Sequence, residues 1–261
     1  MASIATWLRT FGIDPRRTLR SALGLSRYLS MARDLRKSGT PGFAWAETLP
    51  ILDEWGESSG TLGAYFFQDQ LVARWIFEAS PERHFDVGSR IDGFIGSLSV
   101  FREVDAIDLR PQPVCVHNVR FHELDLMQEL PAEWIGKTES LSCLHTIEHF
   151  GLGRYGDTVD PEGHLKGLSQ LKKMVAPGGV IYLSTPIGPQ RIEYNAHRVF
   201  SAITLRDWFG EGWTIERFAV IDDTNTVREN LDPHDPEIEN HFGCHLGVGI
   251  VAARKKPSQP I

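Results

Sequence analysis

His84-Phe85-Asp86-Val87-Gly88-Ser89-Arg90-Ile91-Asp92-Gly93-Phe94 decides the fold. A short apolar run closes on Asp86, Gly88 and Gly93 frame a polar turn, and an apolar-periodic segment continues from Phe94 to Phe101. The order is strand, glycine turn, helix. In an open α/β sheet such a turn brings backbone N–H groups close to a ligand, because glycine has no Cβ to block the approach. A second acidic strand end follows in Val104-Asp105-Ala106-Ile107-Asp108, with Asp108 20 residues past Gly88. A carboxylate at that distance is placed to accept hydrogen bonds from two ribose hydroxyls. Arg90 stands where a pyrophosphate-binding turn has its middle glycine, so a dinucleotide is not the expected guest.

On the N-terminal side, Ile4, Trp7, Leu8 and Phe11 fall at helical spacing. Asp14-Pro15 then caps a second helix that Ser38-Gly39-Thr40-Pro41-Gly42 ends. Residues 1–37 hold eight basic side chains against two acidic ones, a charge of +6 within a chain whose net charge is −7. Residues 1–42 therefore read as a basic helical extension. Such an extension either packs on a domain or meets an anionic membrane or a protein partner. The acidic remainder argues against nucleic acid as a partner, since that affinity rests on phosphate neutralisation. Residues 43–83 read as a helical segment entering the first strand. The competing readings of Tyr65, Gln68 and Asp69 there are a cover over a bound cofactor and ordinary core.

On the C-terminal side, Val119 to Leu126 reads as a third strand ending in Asp125, and Leu141 to Leu144 as a fourth. Pro161 opens a helix that Ala176-Pro177-Gly178-Gly179 stops, and Val180 to Ser184 is the fifth strand. Tyr194 to Ser201 reads as a loop before a helix over Ile203 to Phe209. Trp213 to Ile221 is a sixth strand, and Cys244 to Ala253 a last, inner one. Three widely spaced cysteines support no disulfide framework, and no run is long and apolar enough to span a membrane. A cytoplasmic protein is expected, with the inner face of the membrane as a site for the basic helices.

Asp86-Val87-Gly88-Ser89-Arg90 resembles the first motif of class I S-adenosylmethionine (SAM) methyltransferases, and Leu171 to Gly179 resembles the Pro-Gly-Gly junction before their fifth strand. The resemblance implies an α/β, Rossmann-like methyltransferase domain over residues 84–261. Its sheet would be mostly parallel, seven-stranded and flanked by helices. It implies SAM as cofactor, held by Asp86, Gly88, Ser89, Arg90, Asp108, Leu109, Asp125, Leu126 and Gln68. Asp125 would receive the adenine amino group and Leu126 would pack on the ring. Gly63-Ala64-Tyr65-Phe66-Phe67-Gln68-Asp69, the glycine turn and Phe101-Arg102-Glu103-Val104-Asp105-Ala106-Ile107-Asp108-Leu109-Arg110 also resemble the uncharacterised family DUF268. Its bacterial members tend to occur among surface-polysaccharide biosynthesis proteins. That company implies a small-molecule or glycan acceptor, and O-methylation of a sugar hydroxyl.

His145-Thr146-Ile147-Glu148-His149 admits three readings. It matches the H-x-x-E-H string of inverted zinc peptidases. It is similar to the Glu-x-x-Glu-His of ubiquinone-pathway and small-RNA O-methyltransferases, which implies a divalent metal on His145, Glu148 and His149, with His197 completing the set. In the third reading no metal is needed: Glu148 or His149 takes the proton of an acceptor hydroxyl, with His149 the first choice as base. Arg198 would meet an anionic part of the acceptor or form a structural pair. A methyltransferase fold that only scaffolds a biosynthetic complex through its basic helices is the alternative from a different class.

Overall fold

The computed structural model describes residues 3–45, 48–55, 62–110 and 112–257. The chain forms two compact units, Met1–Thr61 and Leu62–Ile261. In the first, α1 (Ile4–Thr10) precedes α2 (Pro15–Ser38), and Asp14 caps α2 by accepting from Arg16 N and Arg17 N at 3.0 and 3.1 Å. A Cβ on Gly24 would lie 1.9 Å from the Leu52 carbonyl oxygen, so the bare glycine is what lets the Leu52–Trp55 segment lie against α2. Asp53 pairs with Arg17 at 2.8 Å, and the Arg27 guanidinium sits 4.8 Å from the Trp55 ring. No described helix is long and apolar enough to cross a membrane.

The second unit opens with α3 (Ala64–Ala79) and then builds a mostly parallel sheet. Its strands are β1 (Arg83–Val87), β2 (Glu103–Asp108), β3 (Val119–Glu123), β4 (Thr138–Leu144), β5 (Val175–Ile187), β8 (Trp213–Ile221), β9 (Val227–Arg228) and β10 (Gly247–Lys255). The order across the sheet is β3-β2-β1-β4-β5-β10-β8-β9. Strands β1 to β5 run parallel, and β10 is antiparallel to both neighbours, β5 and β8. The near-continuous apolar runs of β5 (Val180–Leu183) and β10 follow from burial on both faces. One core cluster gathers Phe85, Val87, Leu141, Leu171, Met174 and Val251, and the other gathers Val72, Ile76, Phe94, Leu98, Ala219 and Ile250.

The sheet has eight strands where the sequence suggests seven. The extra one, β9, folds back on β8 because Asp222 accepts from Thr224 N and Thr226 N in a tight turn, with Asn225 at φ 66°. Other boundaries move as well. The Ala176-to-Gly179 stop lies inside β5 as an irregularity, since the register jumps from Thr138↔Val175 to Ser140↔Val180. Strand β3 ends at Glu123, so Asp125 lies in the loop beyond it. The expected loop over Tyr194–Ser201 holds a small hairpin, β6 (Arg191–Glu193) and β7 (His197–Val199), followed by α6 (Ala202–Asp207). After the glycine turn the helix begins as one turn of π-helix, Ile91–Ile95, before α4 (Gly96–Ser99), while α5 (Gly163–Met174) forms as read.

Candidate active site

Asp86 lies one residue before the end of β1, 1% exposed. A carboxylate this deep needs donors, and three are supplied: Ser89 N at 3.0 Å, Ser89 Oγ at 2.8 Å and Ser142 Oγ from β4. Burial nevertheless outweighs these bonds and pushes its pKa up to about 6. Behind it lies His84, whose ring bridges Ser140 Oγ and Ser142 Oγ at 2.8 Å each. The direction of the chain is forced. Ser142 spends its proton on Asp86, so it accepts from His84 Nε2–H, and His84 Nδ1 accepts from Ser140. Burial drives the His84 pKa down to about 3, so the ring is neutral.

Gly88 holds φ at 73°, and a Cβ there would stand 2.3 Å from Thr146 Cγ2. The turn is therefore closed against the loop after β4. Asp86, Gly88, Ser89, Ile91, Asp108 and Arg110 line a cleft of about 210 Å³ at the strand ends, which also reaches Phe121, His122 and Glu123. That is the edge where open α/β sheets hold ligands. Asp108 is engaged by its near neighbour: Arg110 Nε donates to Oδ1 at 2.9 Å and Nη2 to Oδ2 at 3.0 Å. The same guanidinium lies 4.8 Å from the centre of the Tyr155 ring.

The remaining cofactor candidates lie elsewhere. Leu109, Asp125 and Leu126 do not line the cleft. Asp125 accepts from Met127 N at 2.8 Å, which closes a local turn, and Leu126 is 3% exposed within the core. Arg90 points to solvent in a two-bond pair with Asp92 at 2.9 and 2.7 Å. Gln68 is buried in α3, where it accepts from Ser184 Oγ at 2.6 Å and donates to Asp69 at 3.1 Å. It ties α3 to β5. Asp69 is partly buried, which raises its pKa, and Oδ2 would lie 2.9 Å from any Cβ on Gly93.

Beyond β4, His145 takes up φ 48°, a left-handed conformation, and a 3-10 turn spans Ile147–His149. His145 Nδ1 lies 3.0 Å from Glu148 Oε1, and its ring packs 4.7 Å from that of Tyr65. His149 donates Nδ1–H to the Ala196 carbonyl at 2.8 Å, which leaves Nε2 as the acceptor, 4.0 Å from Glu148 Oε1. Burial lowers the pKa of both His149 and His197, whose rings are 6.4 Å apart. Among the described residues no group of three or more His, Cys, Asp or Glu side chains converges as a metal site. The expected metal set of His145, Glu148, His149 and His197 is not met. His149 Nδ1 is held by the Ala196 carbonyl and His145 Nδ1 by Glu148, so each ring leaves only Nε2 for a further partner. Arg198 is 5% exposed and donates to the carbonyls of Glu148, Phe150, Asp160 and Pro161 at 2.6–3.5 Å. It braces the loop instead of facing an acceptor.

A family model described as "Caenorhabditis protein of unknown function, DUF268" matches residues 120–232. No curated protein matches the sequence. Among solved structures, the (4+2)-cyclase SpnF is 12% identical at a TM-score of 0.52, over 73% of this chain and 82% of that one. A putative sarcosine dimethylglycine methyltransferase from Galdieria sulphuraria is 14% identical at a TM-score of 0.50, over 73% of this chain and 85% of that one. At such identity the likeness is one of fold, and a cyclase and a putative methyltransferase already share it.

Proposed function

We propose that the chain is a SAM-dependent methyltransferase acting on a heteroatom of a small-molecule or glycan acceptor. One observation carries this reading: the closed glycine turn at Gly88, the buried Asp86 and the strand-end Asp108 line a single cleft. Glycine at 88 keeps that wall free of a Cβ, and Asp108 is the carboxylate for two ribose hydroxyls once Arg110 releases it. SAM, when bound, supplies an electrophilic methyl group. The protein's own part is to hold the acceptor and take its proton. His149 suits that task, because its Nδ1–H is fixed on Ala196 and a free Nε2 lone pair remains on a neutral ring. A sugar hydroxyl is the acceptor that the family resemblance implies.

Calorimetric titration with SAM and S-adenosylhomocysteine tests the reading, beside Asp108→Ala. Micromolar binding that falls at least about tenfold in the variant supports it, a loss of ~1.4 kcal/mol. No binding to the folded protein would overturn it and favour a scaffold.

A further inference from the structure

The helices of the first unit bury almost nothing. Among the described residues α1 has no buried side chain, and in α2 Gly24 alone is buried. Most helical stability in a protein comes from packing an apolar face, not from the helix's own bonds. Here the apolar side chains stay outside. Leu19, Leu23, Leu25 and Leu29 of α2 are 45–71% exposed, and Ile4, Trp7 and Phe11, at i, i+3 and i+7, are 58–81% exposed. Exposed apolar residues gathered in this way mark a surface that something covers.

Along α2 the side chains are sorted by chemistry. At about 100° per residue, Leu19, Leu23, Leu25 and Leu29 share one side, with Ala22 and Ser26 between them. Arg17 and Gly24 lie opposite, where the Leu52–Trp55 segment packs. Arg16, Arg20 and Arg27 run along the border of the leucine side, and Arg33, Arg36 and Lys37 extend it toward the C-terminal end. Among the described residues, the ion pairs of the first 37 residues take up only Arg9 and Arg17. The +6 charge is therefore largely uncompensated where the leucines are exposed.

A partner has to answer both properties at once. A second copy of this surface would set like charges against each other. A bilayer with anionic headgroups takes leucines at its acyl boundary, while arginine stems carry their guanidiniums up to the phosphates. The 24 residues of α2 run about 36 Å, and no described helix is apolar enough to cross a membrane, so the fitting pose is flat. We propose that the leucine side of α2 docks on the surface of an anionic phospholipid bilayer. This is independent of what the second unit catalyses.

Co-sedimentation of the full-length protein with phosphatidylcholine vesicles, with and without about 30% phosphatidylglycerol, tests the proposal. Binding is expected to be at least about tenfold tighter on the anionic vesicles and to weaken with added salt. Arg16→Gln with Arg20→Gln should weaken it about twentyfold, since each cation near such a surface is worth about fivefold. Leu23→Gln with Leu29→Gln keeps the charge and should weaken it at least about tenfold. Leu19→Gln with Leu25→Gln is a second pair on the same side, with the same expectation. All four leucines are exposed, so thermal melts of the variants without vesicles should match the parent. Leucine variants that bind like the parent, or equal binding to both kinds of vesicle, overturn the proposal. So does no binding to either, which would leave the leucines to an acidic protein or to the chain's own acidic remainder. A parent that sediments as a dimer and leucine variants that sediment as monomers would give the surface to a second copy and overturn it as well.

Discussion

Ser142→Ala cuts the buried chain at its centre, and the cost depends on pH. In the native protein Ser142 donates to Asp86 and accepts from His84, with Asp86 at about 6 and His84 at about 3. At about pH 8 Asp86 is ionised. The variant then loses a hydrogen bond to a charge, ~1.5–3 kcal/mol, and orphans the His84 Nε2–H, ~1–3 kcal/mol. The sum is about 4 kcal/mol, or a fall of ~8–16 °C in Tm for a domain of this size. At about pH 5 Asp86 is mostly protonated, the charged part disappears and the loss shrinks to ~1–3 kcal/mol. The background slopes oppose each other. Asp86 is raised above its ordinary 3.8, so the native state binds the extra proton, and its stability, full below about 4, is lost as pH rises through about 6. His84 is lowered from 6.5, so its stability is full above 6.5 and is lost as pH falls toward about 3. The difference between variant and wild type removes that background. Urea denaturation at the two pH values is the assay. An equal loss at both would refute the directional chain.

Three further outcomes are expected. Gly88→Ala places a Cβ 2.3 Å from Thr146 Cγ2 at φ 73°, and should cost about 1–3 kcal/mol and abolish S-adenosylhomocysteine binding by calorimetry. Arg110→Ala removes the guanidinium that occupies Asp108, and should tighten S-adenosylhomocysteine binding about two- to fivefold, within the worth of a half-exposed pair; weaker binding would show that Arg110 holds the ligand. Arg198→Met leaves four carbonyls short of a donor, and should lower stability by about 3 kcal/mol or more in thermal melts.

The parts of the fold legible in the sequence are those fixed by local physics. Asp86 before Gly88, the acidic end of β2, and the last, inner strand β10 all sit where their patterns put them. Asp125 reads two ways from sequence, because an acid after a strand serves a turn as well as a ligand, and here Met127 N donates to its Oδ1 in a local turn. Arg198 misled because its partners are backbone carbonyls 37 to 50 residues away, which no local pattern encodes. The His84–Ser140–Ser142 chain left a readable sign. His84 and Asp86 alternate on β1, Ser140 and Ser142 alternate on β4, and polar residues at period two in apolar strands mark one shared face.

Tyr155 touches two parties. Its ring carries the Arg110 guanidinium at 4.8 Å and meets the edge of His149 at 5.3 Å. A ribose that displaces Arg110 from Asp108 therefore disturbs the aromatic wall of the proposed base. In the proposed methyl transfer, the order in which nucleoside and acceptor arrive would then matter. By reciprocity, whatever factor the nucleoside imposes on acceptor affinity, the acceptor imposes on the nucleoside.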